Sequence, residues 1–167
     1  TVNFYKQQVI SIANVFDNSG VYLAGACNPI ANIENYPKEL EKHVLKVQKP
    51  GRYTGGELNS VVKNASDVDI RYAFCFPDTY EVGMSHLGIK ILTGCFNNTG
   101  YISCERCYMP WPDMRDQLIK HQLPLYALES GDPVNKFDFV AFTLQYELCY
   151  TNVIAMLGLG GIPLLSK

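Results

Sequence analysis

Apolar residues in the second half of the chain alternate between short continuous runs and runs at helical spacing. The near-continuous apolar runs at residues 72–76 and 137–144 predict strands, at about 70–76 and 137–144, that are buried on both faces. Helical spacing after each run predicts helices at residues 84–97 and 147–158. The pattern therefore predicts parallel strands joined by helical crossovers.

The segment between these two units carries signals of the same kind. Residues 101–108 predict a second strand, and residues 112–121 predict a helix because Pro112 suits a first helical position. Residues 125–128 predict a third short strand, and residues 162–166 predict the beginning of another. The order of elements predicts an α/β fold with a doubly wound, flavodoxin-like (Rossmann-like) parallel sheet that is truncated at its C-terminal end.

Residues 1–48 lack this alternation and are predicted to form an N-terminal extension. Within it, residues 37–47 favour a helix, and residues 21–24 favour a strand that is added to the sheet. Proline and glycine breaks after residue 48 separate this extension from an incomplete α/β domain at residues 49–167. The sheet edge that a missing last strand leaves open is expected to favour a homodimer.

Composition narrows the choice of partners and compartment. The hydrophobic fraction of 47% is enough for a core, and the net charge of −2 argues against a nucleic-acid partner. No run of 18 apolar residues predicts a membrane span. The six cysteines lie largely in apolar segments, which favours buried thiols in a reducing cytoplasm over disulfides.

The cysteine and histidine residues that could bind a metal ion do not have the spacing of known metal-binding motifs. Cys104 and Cys107 form a C-x-x-C pair, but no second pair follows, and a strand places them on opposite faces. His86 does not fit the cobalt-ligating pattern D-x-H-x-x-G, so a helix-surface position is expected. No catalytic residue and no metal ligand is predicted, and this chain alone is not expected to be an active enzyme.

The loop after the first parallel strand is the best candidate for a binding site, since open α/β sheets bind ligands at the carboxyl ends of their strands. Asp78 and Glu81 suit either acid–base work or the N-terminus of the next helix, and the helix interpretation is favoured. Trp111, Tyr146 and Tyr150 near strand ends suit either a wall for a flat cofactor or core packing, and packing is favoured.

Five strings resemble one family closely. They are KPGRYTGGELNSVVK (49–63), YAFCFPDTYEVGMSHLGIKIL (72–92), CERCYMPWPDM (104–114), PLYALESGDP (124–133) and FDFVAFTLQYELCYTNVIAML (137–157). From about Lys38 to Lys167 the chain is similar to the N-terminal, cobalamin-binding-like domain of radical S-adenosylmethionine (radical SAM) proteins of the iron–sulfur oxidoreductase type. The resemblance implies a flavodoxin-like B12-binding fold.

The resemblance also implies a function and its cofactors. It implies an accessory domain that presents cobalamin or substrate to a radical SAM barrel in the same full-length protein, with cobalamin bound in the His-off mode. The [4Fe–4S] cluster and S-adenosylmethionine belong to the barrel, outside this chain. The residues implied to face the corrinoid are Pro77, Asp78, Tyr80, Glu81, Ser85, Thr143, Gln145 and Tyr146.

An alternative function shares the same fold. A flavodoxin-like domain of this kind also serves as a cofactor-free module for interaction or substrate recognition. The two functions differ in one observable property, which is whether the full-length protein retains a corrinoid.

Overall fold

The computed structural model describes residues 21–24, 36–58 and 60–165 of the 167-residue chain. The sequence-based expectations for the remainder of the extension and for residues 166–167 lie outside the described residues. The predicted boundary between residues 48 and 49 stays a prediction.

One sheet of four strands organises the described residues. Strands β2 (Ile70–Phe76), β3 (Ile102–Tyr108) and β4 (Phe139–Thr143) are parallel, and strand β1 (Val21–Ala24) pairs antiparallel with β4. The spatial order is β1-β4-β2-β3. The predicted α/β fold with a parallel sheet is confirmed, and so is the added strand at residues 21–24.

Helices cover both faces of this sheet. They are α1 (Tyr36–Val44), α2 (Tyr80–Ser85), α3 (Leu87–Asn97), α4 (Pro112–His121) and α5 (Cys149–Leu159). One core cluster joins α3 to the face that carries Tyr72, and the other joins α1, α4 and α5 to the face that carries Cys75. Cys104 and Cys107 belong to different clusters, which confirms that they point to opposite faces.

The predicted helix at residues 84–97 is interrupted. His86 has an extended backbone (φ −77°, ψ 110°), so α2 ends before it and α3 begins after it. The His86 Nδ1 atom accepts the Ile89 N–H at 3.3 Å and caps α3. His86 is therefore a capping residue at a helix junction rather than the helix-surface residue that was expected.

Two predicted strands are absent from the described residues. Residues 125–128 form a single bridge between Tyr126 and Pro133. Their N–H groups donate to three separate elements and not in register along one strand: Leu125 to Leu159 in α5, Ala127 to Asp132, and Leu128 to Arg106 in β3. Residues 162–165 are not in a strand either. The Ile162 N–H donates to the Leu157 carbonyl and closes α5, while β1 pairs with the edge of β4.

Side chains cover the outer edge of β3. The Asn97 amide accepts the Cys104 N–H at 2.8 Å and donates to the Cys104 carbonyl at 2.9 Å, as a neighbouring strand does. The Lys63 ammonium binds the Ile102 carbonyl at 2.6 Å, and Glu129 accepts the Arg106 N–H at 2.7 Å. This edge is closed to strand pairing, and the expected homodimer stays a prediction.

Candidate functional site at the carboxyl edge of the sheet

The segments that follow β2, β3 and β4 meet at one end of the sheet, which we call the carboxyl edge. The Met109 N–H donates to the Asp78 carbonyl at 3.0 Å and joins the segments after β2 and β3. The Asn152 amide donates to the Pro77 carbonyl at 2.9 Å and joins the segment after β2 to α5. Parallel pairing alone requires this meeting, because all three strands end on the same side.

Asp78 links the loops that follow β2 and β4. Its carboxylate accepts the Thr79 N–H at 2.7 Å and the Tyr146 hydroxyl at 3.3 Å. The Cys149 side chain, and to a lesser extent the Asp78 carboxylate, raises the pKa of Tyr146 above its usual value. Next to it, the Gln145 amide donates to the Thr143 hydroxyl at 2.8 Å. The structure therefore brings Asp78, Thr143, Gln145 and Tyr146 together.

Glu81 lies at the same edge but on the side of β3. Its carboxylate binds the Arg52 Nε atom at 2.6 Å and the Trp111 indole N–H at 3.3 Å. The Arg52 guanidinium also lies over the Trp111 ring, 4.4 Å from its centroid. Partial desolvation acts to raise the pKa of Glu81, but hydrogen bonds from its own N–H, Arg52 and Trp111 together leave that pKa below its usual value.

The Tyr80 side chain points away from the carboxyl edge and contacts a cluster of charged residues. This cluster was not predicted from the sequence. The Tyr80 hydroxyl donates to Glu57 at 2.6 Å, Glu57 pairs with Arg106 Nη1 at 2.6 Å, and Arg106 Nε pairs with Glu129 at 2.6 Å. We call Glu57, Tyr80, Arg106 and Glu129 the Arg106 network. The Glu129 side chain is only 4% exposed.

Burial shifts the pKa values of the groups in this network. Desolvation raises the pKa of Glu129 despite the pairing with Arg106, and desolvation and Glu57 together raise the pKa of Tyr80. The Arg106 pKa is raised above its usual value because its two carboxylate partners outweigh its desolvation. The sequence contains one signal of this network. Two adjacent charged residues, Glu105 and Arg106, lie inside an otherwise apolar strand.

The other predicted site residue, Ser85, lies apart from these groups. It ends α2, and its hydroxyl donates to the Val82 carbonyl at 2.8 Å. The eight predicted residues thus divide between five places: the Pro77–Asn152 hydrogen bond, the group of Asp78, Thr143, Gln145 and Tyr146, the Glu81 contact, the Arg106 network, and the end of α2. Their role in binding stays a prediction.

Exposed aromatic side chains are the second feature of the carboxyl edge. Trp111 is 41% exposed, Tyr146 48% and Tyr150 51%, so the expectation that they pack in the core is wrong. They lie beyond the strand ends, and none of the three belongs to either core cluster. Exposed aromatic faces beside hydrogen-bonding groups favour binding of a flat ligand.

The residues at this edge fit a corrinoid in the His-off mode. Aromatic side chains offer flat surfaces, and Gln145 and the Tyr146 hydroxyl offer hydrogen bonds to peripheral amides. His86 is engaged as a helix cap and its ring lies 5.2 Å from the Phe76 ring, so it is held away from a ligating role. Within the described residues no group of three His, Cys, Asp or Glu side chains is arranged to hold a metal ion.

Comparison with known families gave one match, which concerns the kind of protein and not a cofactor. Residues 88–167 match the family described as radical SAM proteins, N-terminal, and the match supports a radical SAM-associated N-terminal domain. Comparison with curated proteins and comparison with solved structures each gave no match. Among the described residues, no helix has the length and apolar character needed to cross a bilayer.

Proposed function

We propose that this chain is an accessory domain that holds cobalamin at its carboxyl edge and presents it to a radical SAM barrel in the same full-length protein. The observation that carries the proposal is the coincidence of a radical SAM N-terminal match with exposed aromatic side chains at the ligand-binding end of a parallel sheet. A cytoplasmic location follows from the proposal and is supported by buried thiols at Cys75, Cys104, Cys107 and Cys149.

The residues proposed to hold cobalamin come from both sides of the carboxyl edge, the segment after β3 and the segment after β4. Trp111 and Tyr146 would lie against the corrin face, and Gln145 and Thr143 would bind its peripheral amides. Asp78 orients the Tyr146 hydroxyl through their hydrogen bond. When bound, cobalamin supplies a cobalt centre for group transfer or radical chemistry.

A cofactor-free interaction domain is the second candidate. It is favoured by the internal pairing of the polar groups, since Asp78 binds Tyr146 and Glu81 binds Arg52 and Trp111. In that function the exposed aromatic residues would contact a protein surface directly.

The test is to purify the full-length protein with hydroxocobalamin and to record its spectrum after gel filtration. We expect corrinoid absorbance to co-elute at roughly one equivalent, and the double variant Trp111→Ala/Tyr146→Ala to lose it. Ile119→Ala is the matched control, because Ile119 is an exposed apolar residue of α4 away from the carboxyl edge. Absence of co-eluting corrinoid at saturating ligand would favour the interaction domain.

A further inference from the structure

A cavity of about 320 Å³ lies on the α3 side of the sheet, beside the outer edge of β3. Its walls come from α3, β3, the end of α2 and the segment before β2. The volume lies at the lower end of the roughly 300–1,000 Å³ that ligand pockets occupy. The cavity is distinct from the carboxyl edge, although Tyr80 in α2 connects the two through its bond to Glu57.

Charges of both signs line this cavity. The buried wall carries Glu57, Arg106 and Glu129, in which one guanidinium pairs with two carboxylates. Lys90 lies at the exposed rim and makes no ion pair with any described residue. The inner part therefore carries an excess of negative charge, and the outer part carries a free cation.

The remaining wall is apolar or small. Met84, Leu58 and Val61 provide aliphatic surface, and Gly94 in α3 leaves room above the helix. A Cβ atom added at Gly94 would meet no other atom within 4 Å. Lys90, Thr93, Gly94 and Asn97 follow one another at helical spacing and form the α3 wall.

We propose that this cavity binds a small aliphatic zwitterion, such as an α-amino acid, with its ammonium group toward Glu57 and Glu129 and its carboxylate toward Lys90. The order of the charges along the cavity matches that of a zwitterion, with carboxylates inside and an ammonium at the rim. Carboxylate oxygens already bound to Arg106 keep lone pairs for a further donor. The exposed Lys90 ammonium is available to an anionic group, and the aliphatic wall suits an apolar side chain.

The cost of the buried charges supports a binding role. A buried ion pair gives little net stability relative to apolar residues of similar volume, because desolvation offsets the attraction. Perturbed titratable groups that line a cavity are therefore functional candidates. Here the three charged side chains lie in the cavity wall itself and not in the apolar clusters.

The test compares three probes that share one side chain. L-Leucine is the zwitterion, L-leucinamide is the matched cation and 4-methylpentanoate is the matched anion. Titrations of the ¹⁵N-labelled chain follow the amide signals of residues 87–97 and 102–108. L-Leucine is expected to bind about tenfold or more tightly than either analogue, because each analogue loses one charged contact.

Two variants connect the binding to this cavity. Gly94→Leu fills the cavity and is expected to abolish L-leucine binding, while Gly158→Leu leaves it unchanged. Gly158 is the matched control because it is also a helical glycine whose added Cβ would meet nothing within 4 Å. Lys90→Gln is expected to weaken L-leucine binding about tenfold, to the level of L-leucinamide.

Three outcomes would overturn the proposal. One is the absence of saturable shifts with L-leucine up to its solubility limit. Another is equal affinity for L-leucine and L-leucinamide in the unsubstituted chain. The third is unchanged binding by a folded Gly94→Leu variant. None of these outcomes bears on cobalamin binding, which concerns a different surface.

Discussion

The carboxyl edge and the Arg106 network lie on the same sheet but are built in opposite ways. At the carboxyl edge, Asp78 and Tyr146 share one exposed hydrogen bond of 3.3 Å, and aromatic side chains stand open to solvent. In the network, Arg106 makes two ion pairs of 2.6 Å with carboxylates that are 14% and 4% exposed. The carboxyl edge has exposed surface for a large ligand, whereas the side chains of the Arg106 network are held in place by their own ion pairs.

The largest expected effect comes from removing the network's only cation. Arg106→Leu leaves Glu57 and Glu129 buried without a counter-charge and is expected to lower the free energy of unfolding by about 3–5 kcal/mol. Urea unfolding measures this change. Lys42→Gln is the control, because solvent screens the exposed Lys42–Glu39 pair and its loss is expected to change stability little.

If Arg106→Leu fails to fold, replacing Glu57, Arg106 and Glu129 together by Leu provides the second measurement. An apolar set of similar volume is expected to restore most of the lost stability. Equal destabilisation by the single and triple variants would contradict the view that unpaired buried charge is the cause.

A smaller effect is expected at Gly83, which holds α2 between the two regions. A Cβ atom at Gly83 would overlap the Tyr108 ring and approach Phe76 to 3.0 Å, so Gly83→Ala is expected to cost about 1–3 kcal/mol. Gly94→Ala is the matched control, and it is expected to stabilise the chain by about 0.5–1 kcal/mol because its Cβ is unobstructed. Thermal and urea unfolding of both variants decide the comparison, and a neutral Gly83→Ala would show that α2 does not depend on this close contact.

The smallest expected effect is a difference in pH dependence. The folded-state pKa of Glu81 is lowered, so the stability that its ionised form contributes is present above its unfolded pKa and is lost as the pH falls. The folded-state pKa of Glu129 is raised, so its contribution is complete below its unfolded pKa and declines as the pH rises through the folded value.

The loss of stability caused by Glu81→Gln is therefore expected to be larger at neutral pH than at acidic pH. The loss caused by Glu129→Gln is expected to show the opposite dependence. The stability difference caused by Glu81→Gln shrinks on acidification from neutral pH to below the usual glutamate pKa of 4.5. The difference caused by Glu129→Gln is greatest at the acidic end and shrinks toward neutral pH. Urea unfolding across that pH range measures both differences. If both stability differences changed with pH in the same direction, the contrast between the two regions would be contradicted.

The sequence predicted those parts of the fold that depend on local pattern. Near-continuous apolar runs located β2 to the residue and β4 to within two residues, and Pro112 located the start of α4. The break at His86 escaped prediction because apolar spacing continues through it, while the side-chain cap that interrupts the helix leaves no periodic signal. Residues 125–128 have strand-like composition, but hydrogen bonds to Leu159 in α5 and to Arg106 in β3 hold them outside a regular strand.

The candidate site was only partly predictable for a related reason. The topology rule identified the loops after β2 and β4, and Asp78 and Tyr146 do meet there although 68 positions separate them. Arg106 was missed because its partners lie 49 and 23 positions away in the chain. Sequence spacing carries no information about such pairs until the register of the sheet is known.

The most direct test of the account is hydrogen–deuterium exchange of the full-length protein with and without hydroxocobalamin. We expect hydroxocobalamin to slow the exchange of backbone amides at the carboxyl edge, in residues 77–85, 109–111 and 143–150. The exchange of residues 90–97, beside the separate cavity, is expected to stay unchanged. Exchange that is unaffected at the carboxyl edge, with saturating hydroxocobalamin present, would contradict the proposal that this edge presents cobalamin.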